Sequence, residues 1–331
     1  MVVIGGGLAG LTAALFSARY GHSTLVIEST APGGHLINIG KIEDFPGFPE
    51  GVAGYDLCPM VQEQAEQYGA QFEMAGVESL EQVGPIHGAD PTSRGWAVVT
   101  SQGRHRVSTV IVASGAHSRD LGVPGETRLC GKGVSHCASC DGPFFRGRTV
   151  GVVGGGDHAL QEALTLAELA GNVIVLNPGA SFSGQETYRR RVAEHNAIEA
   201  RHHVDVLEVL GETVVTGVRI REHETGTEGE LELAGLFVYA GLVPNTAFLR
   251  GETPVAGTPK SDDGNGTGGR VALLPLAPDG RIPVDGWMRT ALPGLFAAGD
   301  VRDGSAGHAI TSAADGATAA VAAHRYLSEC A

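Results

Sequence analysis

Apolar residues along this chain gather into short, β-branched runs without polar alternation, the pattern of strands buried on both faces of a parallel sheet. Residues 1–4, 23–27, 110–115, 150–153, 173–176, 236–242 and 295–300 all carry it. Stretches of helical spacing lie between and after them: an Ala/Leu-rich segment to about residue 20, an exposed helix over 62–68, and an alanine-rich helix over 309–326. Strands that alternate with helices predict an α/β fold.

The first apolar run leads straight into Gly5-Gly6-Gly7-Leu8-Ala9-Gly10 and then a helix. This is the order of a dinucleotide site: Gly5 allows the tight turn, Gly7 lets backbone approach a pyrophosphate, and Gly10 lets helix pack closely on strand. The second strand ends at Glu28, whose carboxylate can accept hydrogen bonds from ribose hydroxyls. The unit then recurs. Under a shift of 149 residues, Gly5, Gly7, Gly10 and Glu28 fall on Gly154, Gly156, Ala159 and Asn177 without a gap. A repeated unit of this kind predicts two Rossmann-like nucleotide-binding units, or one and a decayed copy. Asn177 can reach a ribose hydroxyl but attracts no 2′-phosphate, and residues 178–183 contain no arginine. Arg189, Arg190 and Arg191 read as the solvated face of a later helix.

Composition narrows the class. The 331 residues suffice for two domains, and 50 glycines cluster in turns between apolar runs, which suits nucleotide-binding units. A net charge of −14 argues against nucleic acid or anionic lipid as a partner. No apolar run approaches the roughly 18 residues of a membrane span, and five mostly isolated cysteines fit a reducing cytoplasm.

The chemistry centres on His136-Cys137-Ala138-Ser139-Cys140-Asp141. Thiols at i and i+3 share one face of a helical turn, where they can close a small disulfide ring and where unpaired amides lower a thiol's pKa. A zinc site would need a second Cys/His pair, and Cys58, Cys130 and Cys330 are lone residues, so no metal is expected. The turn-rich stretches Pro32-Gly33-Gly34-His35 and Asp44 to Pro49 are suited to wrap a cofactor, and Asp300 ends a strand where ligands bind in open α/β sheets. The loop 258–269 is polar and glycine-rich, with no assignable chemistry.

Taken in order, VIGGGLAG, PGGHL, DFPGFPEG, VIVASG, CASCDG, VVGGGDHA, GLVPNT and GLFAAGDV resemble the low-molecular-weight thioredoxin reductase family of FAD-dependent disulfide oxidoreductases over nearly the whole chain. The resemblance implies a discontinuous FAD-binding domain over 1–115 and 246–331, a pyridine-nucleotide-like domain over 116–245 inserted in it, and a homodimer. It implies FAD contacts at Gly5, Gly7, Gly10, Glu28, Gly33, Gly34, Ala113, Gly115, Gly299 and Asp300. It makes Cys140 the thiol that faces the flavin, Cys137 the one that attacks a thioredoxin-like partner, and Asp141 the acid/base.

Departures from the family pattern bear on the electron donor. An HRRxxxR run is replaced by residues 177–183, so NADPH is not the expected donor, while the intact second glycine turn leaves NADH open. His35 stands for a glutamine, Asp44 for an asparagine, and Gly307-His308-Ala309 for Arg-Gln-Ala, all near the expected isoalloxazine. His308 stays open between a proton relay and a satisfied surface residue. Similar changes mark the branch of the family reduced by ferredoxin or another donor. A second reading is a flavin-dependent dithiol oxidase that forms a disulfide with oxygen as acceptor, though such enzymes place His where this chain has Asp141. A flavoprotein without turnover is a third.

Overall fold

Ile4 pairs with Ile27 and Val153 with Leu176, so two parallel strand pairs separated by the same 149-residue shift share one register. The turns that follow match as well: Gly5 N donates to Ile27 O at 2.8 Å, and Gly154 N to Leu176 O at 3.0 Å. The repeat in the sequence is therefore a repeat in space. The computed structural model describes residues 1–84, 95–251 and 271–329, leaving the 258–269 loop and Cys330 outside the described residues. The chain divides into one unit of Met1–His117 with Val243–Ala331 and another of Ser118–Leu242.

In the first unit a parallel sheet runs Leu295–Ala297, Val110–Val112, Val2–Ile4, Leu25–Glu28, Gln71–Met74. Leu295–Ala297, Val110–Val112 and Val2–Ile4 are buried throughout, which is why they carry no polar alternation. One face is covered by the helices Leu8–Arg19 and Ala309–Glu329, whose Ala9, Ala13, Ala319, Ala320 and Ala323 share a core. Small side chains let these helices approach closely: a Cβ on Gly316 would fall 2.0 Å from Ala9 O. The opposite core joins Val2, Ile4, Val110 and Val112 to Leu80, Trp96 and Val98 of an antiparallel sheet, Val77–Val83, Gly95–Thr100 and Gly103–Val107.

The exposed helix expected over 62–68 is the second half of a longer one, Gly54–Gln67, which contains Pro59. A proline removes an amide from the helical ladder and obscures the pattern, yet here the helix runs through it.

The second unit repeats the plan with strands in the order Ile198–His202, Asn172–Asn177, Thr149–Val153, Gly235–Val238, Val134–Ser135. The helix Asp157–Leu169 packs with Val150, Val152, Val173, Val175 and Phe237. The antiparallel strands Val204–Leu210, Gly217–Glu222 and Glu228–Glu232 close another core around Val209, Val218 and Leu236. The apolar run 236–242 yields two strands, Gly235–Val238 and Leu242–Pro244, separated by a bend at Ala240 and a positive φ at Gly241, with the Tyr239 side chain buried. No helix among the described residues is long and apolar enough to cross a membrane.

Candidate active site

At the carboxyl end of the first unit's sheet, Gly5 adopts φ +101°, and a Cβ there would meet Ala113 O at 2.4 Å. Only glycine fits. A Cβ on Gly10 would lie 1.9 Å from Gly5 O, so the helix Leu8–Arg19 begins directly against the turn. Gly7 bridges Gly33, Gly33 N donates to Gly6 O at 2.8 Å, and a Cβ on Gly34 would stand 3.1 Å from Gly7 Cα. The helix has no side-chain cap and no acid in its first turn. Its leading amides are thus available to an anion, and a pyrophosphate suits them.

Glu28 borders this cradle. Its Oε2 accepts Gly6 N at 2.6 Å, and its Oε1 accepts Thr30 N at 2.9 Å. Gly299 lies on the far side of the same sheet end, where its amide donates to Asp315 Oδ2 at 3.1 Å and Asp315 is clamped by Arg302 at 2.6 and 2.9 Å. The Asp300 carboxylate accepts Ser305 Oγ at 2.8 Å. Asn245 pins the strand end after Ala113: its Nδ2 donates to Ser114 O and its backbone N to Gly115 O. His308 meets Asp44 at 3.0 Å, and Ala309 packs with Leu8 and Phe45. His35 is exposed in the short turn Gly34–Asn38. The buried Cys58 donates to Gly33 O, and burial pushes its thiol up to about 11. These residues fit FAD: a tight glycine cradle for the phosphates, uncapped amides, and a carboxylate at ribose position.

In the second unit Cys137 and Cys140 form a disulfide with Cα atoms 5.3 Å apart. Cys137 caps the short helix Ala138–Asp141, its Sγ accepting Cys140 N at 3.2 Å, while Ser135 Oγ accepts Cys137 N at 3.0 Å. His136 Nδ1 lies 2.9 Å from Val238 O, and its Nε2 lies 3.4 Å from Asp120. Asp141 lines a cavity of about 290 Å³ with Lys132, Ser135, Phe144, Arg148 and Val215. Phe144 is 77% exposed, more than the other large apolar side chains among the described residues.

One functional candidate escaped the sequence reading. Glu162 is buried and accepts Ala138 N at 3.1 Å and Tyr239 OH at 3.4 Å. Burial holds its carboxyl above the usual range, offset by those two donors. Its signal was a lone acid at i+3 from Ala159 and i−4 from Leu166, on the helix's apolar face.

The second glycine cradle keeps the tight turn: Gly154 has φ +137°, and a Cβ would meet Tyr239 O at 2.6 Å. Gly156 precedes the helix, and Ala159 replaces the close-packing glycine. Asn177 is buried beneath its own loop. Its Nδ2 lies 3.1 Å from both Gly179 O and Ser181 O and 3.0 Å from His202 Nδ1, and its Oδ1 accepts Gly179 N at 3.2 Å. Two carbonyls fix the orientation of the Asn177 amide. The arginines that follow have other partners: Arg189 pairs with Glu186, Arg191 lies over the Tyr188 ring, and Arg201 pairs with Glu199.

A repeated glycine cradle joined to a vicinal disulfide defines a nucleotide-dependent disulfide oxidoreductase. Residues 1–316 match the model of the pyridine nucleotide-disulphide oxidoreductase family, to which the chain belongs. Within that family it is similar to thioredoxin reductases. That of Mycolicibacterium smegmatis is 36% identical over 330 residues, 99% of this chain and 96% of the relative. The bifunctional thioredoxin reductase/thioredoxin of Mycobacterium leprae is 37% identical over 331 residues, 99% of this chain and 66% of the relative. The crystal structure of Lactococcus lactis thioredoxin reductase superposes with a TM-score of 0.86 at 32% identity, covering 99% of this chain and 98% of that one.

Proposed function

We propose that this chain is an FAD-dependent disulfide reductase that passes two electrons through Cys137–Cys140 to a thioredoxin-like protein, with a donor other than NADPH. The observation that carries the reading is the disulfide beside Asp141, on a unit whose nucleotide cradle has lost its cations. Bound FAD supplies the two-electron carrier. Gly5, Gly7, Gly10, Gly33 and Gly34 hold its pyrophosphate by close backbone approach, Glu28 accepts from its ribose, and Ala113, Gly115, Gly299 and Asp300 border it. Residues 1–115 and 246–331 form that domain, and 116–245 the one bearing the disulfide.

Cys137 exchanges with the partner's disulfide, Cys140 receives the electrons, and Asp141 holds the proton that leaves or joins a thiol. The groove of Lys132, Phe144 and Arg148 beside Asp141 offers an apolar anchor between cations, which suits a protein surface. Gly154, Gly156 and Ala159 can take an unphosphorylated dinucleotide, so NADH is the pyridine nucleotide compatible with this cradle. A 2′-phosphate there would find no arginine.

The test is anaerobic reduction of the flavin by NADPH, NADH, reduced ferredoxin and dithiols side by side. Slow or absent bleaching by NADPH with rapid bleaching by another donor is expected. Rapid stoichiometric bleaching by NADPH would refute the donor assignment, and reduction by a dithiol that then passes to oxygen would favour a dithiol oxidase.

A further inference from the structure

Glu162 has no part in the chemistry described so far, yet it touches the redox turn. It is 5% exposed, forms no ion pair with a lysine or arginine among the described residues, and accepts the amide of Ala138, which lies between the two cysteines. Its other donor, the Tyr239 hydroxyl, is itself buried, with the His158 ring packed at 4.5 Å from the Tyr239 ring and Asp141 the next acid whose charge reaches it. An acid buried without a cation costs stability, and a structural role needs only a neutral acceptor.

We propose that Glu162 takes up a proton when the Cys137–Cys140 disulfide is reduced, and so sets how the pair's potential varies with pH. The proposal rests on the reading of this pair as redox-active. When the S–S bond breaks, two electrons and one proton convert the disulfide into one thiolate and one thiol. That negative charge forms in the turn whose Ala138 amide the carboxylate already holds. Like charges in a desolvated site raise each other's proton affinity. The carboxylate therefore takes a second proton from solvent: disulfide, carboxylate, two electrons and two protons become thiolate, thiol and carboxylic acid. Reoxidation by the partner releases it. Tyr239 favours the charged carboxylate by donating to it, and so places the pH window; Cys137, Cys140, Asp141 and His158 are the remaining titratable groups named around it.

The test uses the full chain with FAD bound, equilibrated in dithiothreitol redox buffers from about pH 4, near the ordinary glutamate value, up to about pH 9, quenched in acid and alkylated. The redox state is counted on the peptide holding Cys137 and Cys140. Within the window where Glu162 titrates, the wild-type equilibrium should change by a further tenfold per pH unit relative to Glu162→Gln, about 30 mV for a two-electron couple. The two lines should meet below the window and part through it, leaving the Gln variant easier to reduce at high pH. Tyr239→Phe, which keeps the carboxyl, should move the window upward and serves as the test if Glu162→Gln fails to fold. Coincident lines, an offset constant at every pH, or a window that Tyr239→Phe leaves in place would overturn the proposal. A disulfide that dithiothreitol cannot reduce in any variant would overturn the reductase reading beneath it.

Discussion

His308 Nδ1 lies 3.0 Å from Asp44 Oδ2, tying the turn-rich segment after the first glycine cradle to the start of the helix Ala309–Glu329. In the sequence these were two separate departures from the family pattern. In the structure they are one pair, with side chains 34% and 35% exposed. A pair this open to water is worth less than about 1 kcal/mol. A double-mutant cycle with Asp44→Asn and His308→Gln, read by urea unfolding of the FAD-loaded protein, should give a coupling of that size. A coupling of several kcal/mol would mean that the pair is buried in the loaded protein.

The Arg302–Asp315 pair differs in kind. Its side chains are 15% and 8% exposed, and Asp315 also holds the amide of Gly299. Removing one partner of a buried pair leaves a charge uncompensated, at a cost of about 3–5 kcal/mol. Asp315→Ala should lower stability by that amount and weaken FAD retention together. A variant that loses less than about 1 kcal/mol would show that Arg302 finds another partner.

The glycine turns and parallel strands were legible because each states a steric need locally. A strand buried on both faces reads as an apolar run, and the run of glycines after it marks a backbone of positive φ, +101° at Gly5, before Ala113 O on the neighbouring strand is known. The misses share one cause, a partner distant in sequence. Glu162 binds a residue 24 positions away and Asp315 an arginine 13 away, so nothing beside either acid in the sequence shows what it holds. The Tyr239 hydroxyl, buried at the end of an apolar run, has its partner Glu162 77 residues away. Asp44 and His308, 264 residues apart, were noticed singly, but nothing local paired them.

Positive φ alone does not make a glycine indispensable, and the first unit allows a direct comparison. At Gly5 a Cβ would strike Ala113 O at 2.4 Å, whereas at Gly115, with φ +63°, it would meet nothing within 4 Å. Gly115→Ala, which meets no protein atom, should cost about 1–2 kcal/mol from the left-handed backbone and lose less flavin than Gly5→Ala. Gly5→Ala should displace the strand end and yield colourless or insoluble protein. Equal flavin content in the two variants would remove Gly5 from the cofactor cradle.

The donor assignment can be tested by gain as well as loss. Asn177 spends its amide on Gly179 O, Ser181 O and His202, and the loop offers no cation to a 2′-phosphate. Gly179 and Ser183 stand where the family resemblance places arginines, and a Cβ at Gly179 would make its closest contact at 3.4 Å, tight but tolerable. A charge-assisted hydrogen bond contributes about 1.5–3 kcal/mol, and 1.4 kcal/mol is tenfold in affinity. The double variant Gly179→Arg with Ser183→Arg should therefore bind NADPH at least about tenfold more tightly, with NADH affinity changed far less. Tightening by calorimetry that is equal for NADH and NADPH would mean that the arginines act on the shared pyrophosphate. No gain for either would mean that the cradle at Gly154 does not receive a dinucleotide.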